Sequence, residues 1–192
     1  QSSRRSGWLD VPGANGTTIR TWTVYPDDRE KAPVVVLIQG TRGLTDWVRI
    51  AADRMAAAGF IALAPDLLSG LGPGGGGFES LENSDDVVRL MRALKPEDVN
   101  QKIDAVRTHA LTLPESNGKS AAVGFCSGGD VCFRYATIQP GIAAAVVFYG
   151  GSPATSSLSS IEAPVLGLYG GDDARVNATI PDAATEMERL NK

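Results

Sequence analysis

A single histidine, two cysteines and no surplus of basic residues characterise this chain of 192 residues. Each scarcity closes off a class of function. With 18 Lys and Arg against 22 Asp and Glu, the formal net charge is -4, so no general positive field exists for a nucleic-acid backbone. The sparse His and Cys have no zinc-like spacing, so a zinc site is not expected. Cys126 and Cys132 fall on what reads as one helix, about 9 Å apart along its axis, too far for a disulfide. Cysteine usage therefore leaves the compartment open, cytoplasmic or exported with a leader removed. Gln1 in place of Met shows only processing or trimming. No apolar run reaches the length of a bilayer, so the expectation is a soluble protein with no membrane partner.

What the chain does contain is an ordinary globular composition, 43% hydrophobic and 21% charged, which suits one domain over residues 1–192. Short strands are expected near Trp8 to Val11 and over Thr17 to Tyr25, where β-branched and aromatic residues dominate. Pro33 to Ile38 is continuously apolar, as a parallel strand covered on both faces requires. A helix is expected from Asp46 to Ala58 with Trp47, Ile50, Ala51 and Met55 near helical spacing, stopped by Gly59. Phe60 to Asp66 returns as a strand. The glycine-rich stretch Ser69 to Gly77 lacks G-x-x-x-x-G-K-[ST] and reads as a mobile loop at the carboxyl end of that strand, beside the site.

Helices then follow over Asp85 to Leu94 and Pro96 to Leu113, the second with Pro in its first turn. Strands are expected at Ser120 to Phe125, Ile142 to Tyr149 and Pro164 to Tyr169, with helices from the residue after Cys126 to Ile138 and from Pro181 onward. Alternating strand and helix argue for an open, mostly parallel α/β sheet with ligands at the carboxyl ends of its strands.

One motif carries the chemistry. Gly124-Phe125-Cys126-Ser127-Gly128 follows an apolar strand and opens a helix, which is the context of a nucleophile elbow. The small neighbours permit a tight, strained turn, and the helix N-terminus presents unpaired N–H groups that stabilise negative charge. Cys126 is therefore the candidate nucleophile.

Taken with Gln39-Gly40-Thr41-Arg42-Gly43-Leu44, Gly59-Phe60-Ile61-Ala62-Leu63-Ala64-Pro65-Asp66-Leu67 and Tyr169-Gly170-Gly171-Asp172-Asp173-Ala174-Arg175-Val176, this elbow resembles the dienelactone hydrolase family over nearly the whole chain. The resemblance implies an α/β-hydrolase fold, a mostly parallel sheet flanked by helices, and a Cys-Asp-His triad that opens small lactones or esters without metal or organic cofactor. It implies Cys126 as nucleophile and Asp173 as the triad acid. Oxyanion stabilisation would come from the backbone N–H groups of Ser127 and Thr41. For a substrate carboxylate, Arg42 and Arg175 are candidate contacts.

Two features depart from the family pattern. The residue after Gln39 is usually a glutamate that contacts the thiol, and here it is Gly40. The triad histidine belongs some thirty residues beyond Asp173 by family resemblance, after another strand, whereas the chain ends at Lys192. The resemblance thus implies a continuation carrying a last strand, a helix and the histidine. His109 shares a helix face with Val106, Ala110 and Leu113 and reads as a packing or surface residue. The competing reading is a catalytically impaired binding or regulatory protein on the same fold. Oligomeric state is open.

Overall fold

A computed structural model describes residues 4–27 and 30–192, and Gln1 lies outside them. The chain folds as two compact units. The first holds the residues up to Leu37 together with Thr41–Lys119, and the second holds Ile38–Gly40 and Ser120–Lys192.

In the first unit, β1 (Ser6–Pro12) and β2 (Thr18–Val24) form an antiparallel hairpin, and β2 also runs antiparallel to β4 (Ile61–Pro65). The parallel pairing of β3 (Ala32–Ile38) with β4 puts Val34 opposite Ile61 and Val36 opposite Leu63. Every residue of β4 and nearly all of β3 are buried, as the continuous apolar runs require. On the hairpin, Trp8 and Trp22 are cross-strand partners whose rings meet edge to face at 5.5 Å. Arg20 lies over the Trp8 ring at 4.3 Å and Arg49 over Trp22 at 5.0 Å, so cations cover these indoles.

Helix α1 (Asp46–Ala57) packs on β2 and β4 through Val48, Ala52 and Ala56. Trp47 and Ile50, which share the helical spacing noted in the sequence, are 51% and 57% exposed. Close helix–sheet approach selects the small side chains and turns the bulky ones outward. Gly59, at φ 91°, ends the helix as anticipated. Helices α2 (Ser84–Ala93) and α3 (Pro96–Leu111) follow, α3 burying Val99, Ile103, Val106 and Ala110. His109, half-buried, offers its carbonyl to the N–H and hydroxyl of Thr112.

The glycine-rich loop is pinned from below. Asp66, 2% exposed, accepts the N–H groups of Leu68 at 2.9 Å and Phe78 at 2.7 Å, one from each end of the loop. Lys102 Nζ donates to the carbonyls of Leu67 and Ser69 at 2.7 and 3.0 Å. Two short 3-10 turns, Pro73–Gly75 and Phe78–Ser80, lie within this region.

Strand β5 (Ser116–Phe125) begins earlier than its apolar run suggests, and the portion from Ser120 belongs to the second unit. There β5, β6 (Ala145–Phe148) and β7 (Val165–Leu168) pair in parallel, with Phe125 opposite Phe148 and Phe148 opposite Leu168. Strand β6 is shorter than the apolar run from Ile142. Helix α4 (Ser127–Ile138) packs on β6 through its buried Cys132, Phe133 and Ala136. The helix expected from Pro181 is α6 (Ile180–Arg189), and the short α5 (Ala174–Asn177) precedes it. Leu166 and Leu168 on β7 remain 55% and 41% exposed.

Candidate active site

At the junction of β5 and α4 the chain reverses in one residue. Cys126 has φ 56° and ψ -127°, a conformation that L-residues rarely adopt, and it is the N-cap of α4. Such backbone strain costs on the order of 1–3 kcal/mol and persists only where neighbours over-determine it. Here they do. The Cys126 N–H donates to the Phe148 carbonyl at 3.0 Å, and its own carbonyl accepts Gly129 N–H at 2.7 Å. A Cβ on Gly124 would overlap the Gly128 carbonyl and stand 2.6 Å from Cys132 Cβ, and one on Gly128 would stand 2.6 Å from the Gln39 carbonyl oxygen. Glycine at both positions is what lets helix and strand ends approach.

The sulfur is accessible, since Cys126 is exposed. The other thiol differs in every respect. Cys132 is fully buried, its S–H pointing to the Val146 carbonyl at 3.5 Å, and burial pushes its pKa up to about 12. At the N-terminus of α4 the first N–H groups, beginning with Ser127, have no intrahelical acceptor, which suits them to a developing negative charge beside Cys126.

Gly40 also lies in this unit. A Cβ there would meet Cys126 Cβ and the Phe125 carbonyl oxygen, each at 3.1 Å, and Ser127 Oγ at 3.7 Å. The position that carries glutamate in the family pattern thus faces the elbow directly, and Gln39 beside it is 1% exposed. Asp173 is half-buried and caps α5, its carboxylate accepting Val176 N–H at 3.0 Å. Arg175 is exposed on the same short helix. Thr41 and Arg42 belong to the first unit, in the turn after β3, where Thr41 is half-buried and Arg42 exposed.

Tyr149 is a residue that the sequence motifs do not single out. It follows Phe148 at the carboxyl end of β6, as Cys126 follows Phe125 on β5, and it too has positive φ, 41°. Its N–H donates to the Leu168 carbonyl at 2.8 Å. Partial burial, and secondarily the Cys126 sulfur, hold its phenol above the usual tyrosine pKa. A sequence signal existed, because Gly150-Gly151 after an apolar strand marks a loop at the sheet's carboxyl edge.

The sequence pattern of the dienelactone hydrolase family matches residues 19–191. The chain belongs to the dienelactone hydrolase family. A Salmonella typhimurium protein named "Putative carboxymethylenebutenolidase" is 31% identical over 96% of this chain and 69% of its own length. Among solved structures, a Klebsiella pneumoniae protein titled "Putative Dienelactone Hydrolase" superposes with TM-score 0.83 at 23% identity, covering 99% of this chain and 82% of that one. A dienelactone hydrolase-like promiscuous phosphotriesterase from metagenomic libraries gives TM-score 0.74 at 27% identity, covering 99% and 79%.

Membership establishes the α/β-hydrolase fold and an enzyme of the hydrolase class that acts on lactone or ester bonds of small molecules. No helix among the described residues is long and apolar enough to cross a membrane.

Proposed function

We propose that this dienelactone hydrolase family member cleaves small lactones or activated carboxylic esters through a cysteine acyl-enzyme. The observation that carries the reading is the exposed Cys126 at positive φ on the N-terminus of α4. Attack by the Cys126 sulfur forms a thioester and expels the leaving alcohol, and water then resolves the thioester. The N–H of Ser127 is the proposed oxyanion donor from α4, and Thr41 N–H keeps the role of second donor that the resemblance gives it. Asp173 supplies the carboxylate of a Cys-Asp-His arrangement, and Arg42 and Arg175 are candidate contacts for a substrate carboxylate.

The test uses the complete protein with an activated aryl ester and a dienelactone, followed by Cys126→Ser and Asp173→Asn. Turnover that falls in both variants supports the assignment. Equal activity in all three proteins removes Cys126 as nucleophile, and ligand binding without turnover supports a binding protein instead.

A further inference from the structure

Between β6 and α4 the second unit carries a clamp that the proposed acyl transfer does not yet use. Cys126 and Tyr149 are the residues immediately beyond the paired positions Phe125 and Phe148 on adjacent parallel strands. The rings of Phe125 and Phe148 stack at 4.9 Å, and Phe148 meets Tyr149 edge to face at 6.5 Å. The two residues thus leave neighbouring strand ends side by side, both at positive φ. Behind Tyr149 the chain is locked to the elbow helix. A Cβ on Gly150 would stand 2.6 Å from Gly129 Cα, and Gly151 N–H donates to the Asp130 carboxylate in the first turn of α4. Three features, the Leu168 carbonyl on Tyr149 N–H, the glycine contact and the Asp130 carboxylate, hold the Tyr149 backbone in its strained conformation beside the nucleophile.

We propose that Tyr149 is a general acid that delivers its phenolic proton to the leaving oxygen when Cys126 attacks, and that Asp130 is the positioning residue that holds it there. The assignment rests on the acyl-transfer reading above. In the acylation step the sulfur lone pair forms the S–C bond, the C–O bond breaks with its electron pair on oxygen, and that oxygen takes the Tyr149 proton. In the second step water adds to the thioester carbon and its proton passes to the Tyr149 phenolate. The S–C bond then breaks with its pair on sulfur. One ester and one water become one alcohol and one carboxylic acid, and thiolate and phenol are restored.

Tyr149 is 41% exposed, open to a ligand entering from solvent. Its raised pKa keeps the phenol protonated and available as a donor beside the attacking sulfur. A weak acid of this kind helps little when the leaving group is already a stable anion. It helps most when an alkoxide must depart, and this difference separates chemistry from packing.

The experiment compares kcat/KM for p-nitrophenyl acetate and for an unactivated lactone such as δ-valerolactone, in the wild type, Tyr149→Phe, Asp130→Ala and Asp130→Asn. Tyr149→Phe is expected to lose more on the lactone, raising the ratio of the two values by about tenfold or more. Asp130→Ala should shift the ratio in the same direction. Asp130→Asn, which still offers an oxygen to Gly151 N–H, should restore the wild-type ratio. A parallel loss on both substrates, or no loss, overturns the role of Tyr149, and a Tyr149 effect without an Asp130→Ala effect overturns the positioning role. If the wild type turns over both substrates and Cys126→Ser neither, the acyl-transfer reading stands whatever Tyr149 does. Silence of the wild type toward both overturns the two proposals together.

Discussion

Gly40 and Cys126 are packed so closely that a methyl group at residue 40 would lie 3.1 Å from Cys126 Cβ. That separation is tighter than ordinary van der Waals contact, and the Phe125 carbonyl oxygen lies at the same distance. The elbow must therefore shift to accept any side chain at this position. Since the Cys126 backbone is already strained, a few tenths of an ångström move the sulfur relative to the N–H groups of α4.

Gly40→Ala is accordingly expected to cost about 1–3 kcal/mol of stability by overpacking. It should also lower kcat on an activated ester more than it raises KM, because misplacement of the reacting atom weakens the transition state. Urea denaturation and steady-state kinetics on the same preparation check both. Unchanged stability together with unchanged kcat would show that the contact relaxes freely.

Asp173 has a structural task and a proposed chemical one, and two substitutions separate them. As N-cap of α5 its carboxylate holds Val176 N–H. Asp173→Asn retains a capping oxygen, so it should melt within about 0.5 kcal/mol of the wild type yet lose most activity. Asp173→Ala should lose activity and in addition about 1 kcal/mol of stability. Thermal melts alongside ester hydrolysis distinguish them, and full activity in Asp173→Asn would end the role of Asp173 as triad acid.

The buried Cys132 thiol, pushed from 9.0 up to about 12, makes a prediction about alkali. Between these values the unfolded chain has released its thiol proton while the folded protein still holds it. Stability must therefore fall as pH rises through that window, by about 1.4 kcal/mol per unit at most. Cys132→Ala should be less stable at neutral pH because of the lost packing, but its decline with pH should be shallower. Urea midpoints measured from neutral to alkaline pH read the two slopes, and identical slopes would reject the buried-thiol contribution.

Asp66 carries the same sign at the acid end. Burial raises its pKa above 3.8, against the opposing influence of the Phe78 and Leu68 N–H groups and of Lys102 and Arg20. Below 3.8 both states are protonated. As pH rises above it the unfolded chain ionises first, so this residue's contribution to stability diminishes until the folded carboxyl ionises as well. Asp66→Asn should remove that component of the pH dependence. Because an amide oxygen cannot replace both carboxylate oxygens toward Leu68 and Phe78, it should also increase protease cutting in the glycine-rich loop. Loop cleavage at the wild-type rate would mean that these two hydrogen bonds do not hold the loop.

Much of the fold is legible in the sequence because its signals are local. The apolar runs of β3 and β4 have the length and continuity of buried parallel strands, and Gly59 ends α1 where expected. The phase of α1 escapes the sequence pattern because two apolar stripes compete on it. Bulk favours Trp47 and Ile50, but the sheet accepts Val48, Ala52 and Ala56, and only the packing distance decides between them. The start of β6 escapes it for a related reason: Ile142 is buried without joining the ladder, so hydrophobicity alone cannot separate strand from buried approach.

The amino-acid sequence alone determined the strand–helix alternation, the elbow and the identity of its central residue. Periodicity and turn sterics act over a few neighbouring positions and can be read from them directly. Only the tertiary structure decided that Gly40 presses on Cys126, that Asp173 caps α5, and that Tyr149 leaves the strand end next to that of Cys126, followed by the Asp130–Gly151 clamp. Those relationships join residues distant along the chain, and they arise from strand register and close backbone packing, which no local pattern encodes.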